Sequence, residues 1–250
     1  MAITFVQQGT VGNTTSGTPG TAITSTLTAP AAGNAIIGCA VSYQGAIGTS
    51  AFTNTQTDTF TRRVEQAAGI DDIGAIFSAV NIAGGATSVV TDTPSAGKYS
   101  SMQAMEVAGL GAAPTFQSAT NNGGFADFPA VGPITPTHAD NITIVLIPNT
   151  GAAALGAVTG WQQGGEFTNY GASECFKIYY KIQSAADAVS FNYGTNIDVS
   201  WSAQMLVASL DAAPPNHVQA VQGVTWASVH DVQGVHAANV KTINTLTTGN

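Results

Sequence analysis

Charge is what this 250-residue sequence has least of. Asp, Glu, Lys and Arg make up 8% of it, against roughly 25% in an ordinary soluble domain. Ser, Thr, Asn, Gln and Gly fill the vacated places. The expected surface is neutral and hydrogen-bonding, which suits proteins that live outside the cytosol or pack side by side in an assembly. The six cations, Arg62, Arg63, Lys98, Lys177, Lys181 and Lys241, form no basic cluster, and the net charge is −8. That argues against nucleic acid as a partner and against an anionic membrane surface. No apolar run approaches the roughly 18 residues of a spanning helix, so no membrane partner is expected. The opening MAITFVQQGT has neither a basic start nor an apolar run of about seven residues or more. The expectation is a chain made in a host cytoplasm without a cleaved signal peptide.

Catalytic signatures are missing too. There is no G-x-S-x-G, no H-E-x-x-H and no cysteine pair at metal spacing. In TPSAGKYS, Tyr99 follows Gly97-Lys98 where a phosphate loop needs Ser or Thr, and the upstream glycine is lacking. His138 and Asp140 in PTHADN read as turn residues ahead of a strand rather than a dyad. Asp71 and Asp72 read as a solvated turn. A glycoside hydrolase needs two facing carboxylates, and nothing in the spacing pairs Glu65, Glu106, Glu166 or Glu174. No enzyme activity, cofactor or bound metal is expected. Glu106 alternates with Ala104 and Met102 in YSSMQAMEVAG, which places a carboxylate on an apolar face. A structural ion pair with Arg62 or Arg63 is the expectation.

Only two cysteines occur, Cys39 and Cys175. In AIIGCAVSY the first shares a face with Ile37, Val41 and Tyr43. In ECFKIYYKI the second falls with Lys177 and Lys181, opposite Phe176, Ile178, Tyr180 and Ile182. Thiols on opposite kinds of face are expected to stay free.

What the sequence does have is 44% apolar residues in period-two segments, with turn residues between them. Examples are AITFVQQ (2–8), NAIIGCAVSYQ (34–44), DTFTRRVEQ (58–66), PTFQSAT (114–120), NITIVLIP (141–148), AVTGWQQ (157–163) and DVSWSAQMLVASL (198–210). Turn signals such as TSGTPG, PAAGN, AGGA and NTGAA separate them. The reading is all-β: an antiparallel, jelly-roll-like β-sandwich of about a dozen strands over residues 1–211. A Pro-rich hinge follows at 212–216, because Pro214-Pro215 cannot continue a sheet. Residues 217–250 then form a tail with an eleven-residue repeat: VQGVTWASVHD (221–231) stands above VQGVHAANVKT (232–242), with a decayed third copy at Ile243. Each copy opens on Val-x-Gly-Val, where Gly permits a turn. TWASVHD and HAANVKT could each form one or two helical turns. Val218, Val229 and Val240 run eleven apart. Together with Val221, Val224, Trp226, Val232 and Val235 they make an apolar line that so short a unit cannot bury alone. It must pack on its own sandwich or on another chain, and the hinge favours another chain. The tail histidines His217, His230 and His236 are expected to be solvated.

The order of motifs carries a resemblance. AGNAIIGCAVSYQG, NTQTDTFTRRVEQ, IFSAVNIAGGATSVVTDTPS and MQAMEVAGL, then the long ITPTHADNITIVLIPNTGAAALGAVTGWQQ and YYKIQSAADAVSFNYGTNIDVSWSAQMLVAS, resemble in turn the segments of a group of bacterial and phage β-sandwich domains. The match covers residues 3–210. The AGGA turn is its most distinctive element. The charged VEQ and the stretch NNGGFADFPAVG depart from the pattern, and the tail resembles the short repeats near the ends of phage structural proteins. The resemblance implies a jelly-roll-like sandwich of virion proteins, tail adhesins and surface proteins, with no catalytic residue set.

The function expected is therefore a non-enzymatic structural component of a phage particle, a decoration, tail or fibre protein. Its partners would be copies of itself, with a trimer as one candidate symmetry, and other virion proteins. The alternative is a glycan-binding, host-recognition adhesin on an extracellular surface. For that reading Trp161, Phe167 and Tyr170 in WQQGGEFTNYG, and Phe125 and Phe128 in NNGGFADFPAVG, are the candidate contacts. Aromatic faces beside amide side chains suit sugar rings and hydroxyls.

Overall fold

The computed structural model describes residues 2–13, 21–43, 51–66, 72–93, 99–124, 127–150, 155–169, 174–210, 220–221, 224–225, 231–232 and 235–236. The chain divides into two compact units, Met1–Asp211 and Ala212–Asn250. Every regular element among the described residues is a strand, and all pairings are antiparallel.

The described residues of Met1–Asp211 form sixteen strands, where about a dozen were expected. Nine precede residue 110: β1 (Thr4–Gln8), β2 (Gly12–Asn13), β3 (Ile23–Leu27), β4 (Ala35–Tyr43), β5 (Ala51–Asn54), β6 (Thr61–Glu65), β7 (Asp72–Ala79), β8 (Ser88–Thr93) and β9 (Tyr99–Ala108). Seven follow it: β10 (Thr115–Gly123), β11 (Ala130–Ile134), β12 (Asn141–Asn149), β13 (Gln162–Asn169), β14 (Glu174–Gln183), β15 (Val189–Asn192) and β16 (Trp201–Ser209).

The strand order is the same twice. The first half builds a large sheet β1-β9-β4-β7-β6, with β2 also on β9, and a small sheet β3-β8-β5. The second half builds β10-β16-β12-β14-β13 and a small sheet β11-β15. Register makes the match residue by residue. Phe5 and Gln7 stand opposite Val107 and Glu106, with a bulge between them. Phe116 and Gln117 stand opposite Ala208 and Val207 without one. The extra residue is Val6, which a β-bulge leaves unpaired and 48% exposed. Carried along the paired strands, the same register aligns Asn34 with Asn141, Ser101 with Ser202, and Gln103 with Gln204. Gly33 and Asp140, which precede the two asparagines, both have positive φ, 83° and 54°.

Three cores follow from this layering. The large sheets face each other across Ile37, Cys39, Met105 and Val107 on one side and Ile142, Ile144, Phe176 and Leu206 on the other. The first half buries Leu27, Ile36, Phe77 and Val90 between its own two sheets. The second half does the same with Val131, Val145, Phe191 and Trp201. Each large sheet is therefore covered on both faces, and β12 and β16 are buried at every position.

Covering both faces explains several departures from the alternation pattern. Cys175, Lys177 and Tyr179, on the supposedly solvent side of β14, are buried, while Ile182 on the apolar side is 41% exposed. Both cysteines are buried, and they form no disulfide with each other. The expected strand at 157–163 is in place only from Gln162, and most of WQQGGEFTNYG is β13. The NNGGFADFPAVG stretch contributes the end of β10 and the start of β11.

In Ala212–Asn250, β17 (Ala220–Val221) pairs with β18 (Val224–Thr225), and β19 (Asp231–Val232) pairs with β20 (Val235–His236). Val221 stands opposite Val224, and Val232 opposite Val235. The two valines of each Val-x-Gly-Val are thus cross-strand partners. Thr225, Asp231 and His236, expected at the ends of helical turns, are strand residues.

Candidate functional site

Glu106 is the least ordinary group in the sandwich. Its residue is 1% exposed, and no cation among the described residues pairs with it. Arg62 pairs instead with Glu65 at 2.6 Å. Arg63 donates from Nε to Ser78 Oγ at 2.7 Å and lies 3.9 Å over the Phe116 ring. The expected ion pair is therefore replaced by neutral donors. Gln7 Nε2 donates to Glu106 Oε2 at 2.6 Å, while Asn34 Nδ2 and the Ala31 backbone N–H donate to Oε1 at 2.6 and 2.8 Å. Three donors from two separate segments thus converge on the two carboxylate oxygens. The effect is mechanical: Glu106 ties β1 and the 31–34 turn to β9. Its counterpart in the second half is Val207.

Beside it, Asn34 also lines a shallow cleft of about 470 Å³ with Ala32, Gly33, Asn81, Gly109 and Leu210. Amide and backbone groups can hydrogen-bond a ligand there, but none of the lining residues can transfer a proton or act as a nucleophile.

Of the other carboxylates, Glu166 pairs with Lys177 at 2.6 Å, directly across β13 and β14. Glu65 is held by Arg62. The side chain of Glu174 and that of Asp72 lie outside the described residues, as does Asp71. Among the described residues no group of three His, Cys, Asp or Glu is placed to hold a metal. His138 and Asp140 sit in the turn before β12, where the Leu210 N–H donates to Asp140 O at 3.1 Å. No helix among the described residues is long and apolar enough to cross a membrane.

The candidate contact residues part ways. Trp161 packs edge-on against Phe191, with centroids 5.2 Å apart, in the core of the second half. Phe167 stacks on Phe176 at 6.1 Å, against the core between the large sheets. The two rings sit on opposite sides of one sheet and offer no shared face. Phe128 is 46% exposed; Phe125 and Tyr170 lie outside the described residues. In the tail, Val221, Val224, Val232 and Val235 are strand residues. Val218, Trp226, Val229 and Val240 lie outside the described residues.

Tyr179 was not anticipated. It is fully buried on β14 and donates from its hydroxyl to Gly156 O at 2.6 Å, while Gly156 N–H donates to Tyr193 Oη at 2.8 Å. Burial raises its pKa, and the neighbouring Tyr193 and Glu166 add to the rise. The pair of tyrosines fixes the loop ahead of β13. The tyrosines are visible in sequence, but nothing there indicates that they converge on one glycine.

Comparison with family models, curated proteins and solved structures finds no match to this chain.

Proposed function

We propose that this chain is a non-enzymatic structural component of a bacteriophage particle, a decoration, tail or fibre protein, joined to its neighbours through residues 217–250. The observation that carries the reading is the pair of hairpins at β17–β18 and β19–β20. They repeat the same Val-x-Gly-Val register eleven residues apart, with strands only two residues long. An isolated two-stranded hairpin is marginal in water even at greater length. Such hairpins need strands or apolar surface from outside themselves, and a second copy of the same repeat offers both.

The sandwich supports the same role. In the first half the pairing is nested: β1 with β9, β3 with β8, β4 with β7. The second half nests β10 with β16, β11 with β15 and β12 with β14. Nested pairing across two sheets is how a long hairpin folds into a jelly roll, so each half reads as one jelly roll. The motif resemblance to phage β-sandwich domains points to the same setting. Carboxylates engaged by cations or amides suit a role that involves no chemistry.

Mass spectrometry of purified particles tests the reading. The chain is expected among the stoichiometric particle proteins; its absence from washed particles would overturn the proposal.

A further inference from the structure

The two halves share more than strand order: at their junction, residues in matching positions reach across to the other half. Phe5 on β1 stacks on Tyr180 of β14, with centroids 4.4 Å apart. Its counterpart Phe116 on β10 lies under Arg63 of β6 at 3.9 Å. Gln103 of β9 and its counterpart Gln204 of β16 are both buried. The amide oxygen of Gln103 lies 1.5 Å from where a Cβ on Gly165 of β13 would stand, and that of Gln204 lies 1.8 Å from the same point on Gly74 of β7. Each glutamine thus occupies space that only a glycine on the opposing sheet leaves free. The glycines lie on β7 and β13, which are not counterparts, so the two halves meet off an exact dyad.

Each half also has what a separate module requires. It has an outer core between its own two sheets, and its residues supply one side of the shared inner core. Leu110 and Pro114 bracket the link Gly111–Ala113, whose residues are exposed.

We infer that residues 2–110 and 114–210 are two copies of one β-module, and that the large sheet of each is a docking surface whose fitting partner is another module of the same kind. Glutamine-on-glycine contacts set the pairing. The link joins two modules that hold together without it. Neither the tail nor the particle role enters into this, so its test is independent of both.

The full-length chain with a protease recognition site inserted between Gly111 and Ala112 tests the inference. The uncut chain is checked for native circular dichroism, then cut and examined by size-exclusion chromatography and analytical ultracentrifugation. The two fragments are expected to co-elute at the position of the uncut chain and to remain paired on dilution. In the same background Gly165→Val should weaken the pairing by about tenfold or more, the scale of overpacking. Adding Gln103→Ala should return most of the loss. If Gly165→Val does not fold before cutting, Gly74→Ala with and without Gln204→Ala is read in its place. Fragments of native sequence that separate or precipitate on cutting would overturn the inference. So would a glycine substitution that removal of the opposing glutamine fails to rescue.

Discussion

Gln7 and Gln117 occupy matching positions on the first strand of each half, and each clamps the backbone beside it with both ends of its amide. Gln7 Nε2 donates to Thr28 O at 2.8 Å and Thr28 N–H donates to Gln7 Oε1 at 3.1 Å. Gln117 Nε2 donates to Thr135 O at 3.0 Å and Thr137 N–H donates to Gln117 Oε1, also at 3.0 Å. Thr28 and Thr135 are themselves counterparts, so the device is duplicated with the fold. Gln117→Ala should cost about 1–2 kcal/mol, two partly exposed hydrogen bonds at the usual net value. Gln7→Ala should cost more, because Gln7 also donates to Glu106. Urea unfolding of the two variants checks the order; Gln117→Ala as the costlier change would contradict the description of the Gln7 network.

Glu106 makes a sharper prediction. Removing the carboxylate in Glu106→Ala leaves three donors facing a buried space, and the expected loss is about 2–4 kcal/mol. Placing a carboxylate at the matching point of the other half, Val207→Glu, puts a charge where Val207 is packed among Trp201, Met205 and Phe191. That variant should lose at least as much, and its melting temperature should recover on acidification as the new carboxyl is neutralised. A Glu106→Ala chain as stable as the parent would show that the three bonds do not hold the turn.

The Lys177–Glu166 pair is asymmetric: the lysine side chain is 6% exposed and the glutamate 35%. Glu166→Ala should therefore cost about 1–3 kcal/mol by leaving a buried ammonium without its partner, while Lys177→Met, which fills the same space without charge, should cost less. Thermal unfolding of both single variants decides this. Equal losses would mean that the ion pair has no more consequence than a surface contact.

Alkaline pH should weaken the sandwich. Burial raises the Cys39 thiol above its ordinary 9.0, so the unfolded chain releases that proton first as pH climbs. The stability from keeping the thiol neutral is complete below about pH 9 and falls by about 1.4 kcal/mol per pH unit above it. Tyr179, also raised by burial, acts in the same direction at higher pH. Urea midpoints measured between about pH 8 and pH 10 should fall more steeply for the parent than for Cys39→Ala. Parallel curves would remove Cys39 as the cause.

The all-β class and most strands were legible because turn residues and period-two segments punctuate the chain. Alternation misled where both faces of a sheet are covered. In NITIVLIPN every residue is buried, so nothing in the pattern distinguishes an inside from an outside. Glu106 was legible as a buried carboxylate but not its partners, because Gln7 and Asn34 lie far away in sequence and carry no charge. The duplication leaves few identical residues. Thr-Phe before a Gln in TFVQ and TFQ, and Ser-x-Gln in SMQ and SAQ, are its traces, and the bulge at Val6 interrupts the first of them. Trp161 and Phe167 stood together as aromatics of one short stretch, but the strand that carries the stretch places them against different cores, which nearness in sequence does not reveal.

The central claim is that the tail assembles the protein and the sandwich stands without it. The most direct measurement is light scattering coupled to size-exclusion chromatography on the full chain and on a chain ending at Asp211, with circular dichroism on both. The prediction is an oligomer for the full chain and a folded β-rich monomer for the shortened one. The same oligomer from both chains, or a shortened chain that fails to fold, would contradict it.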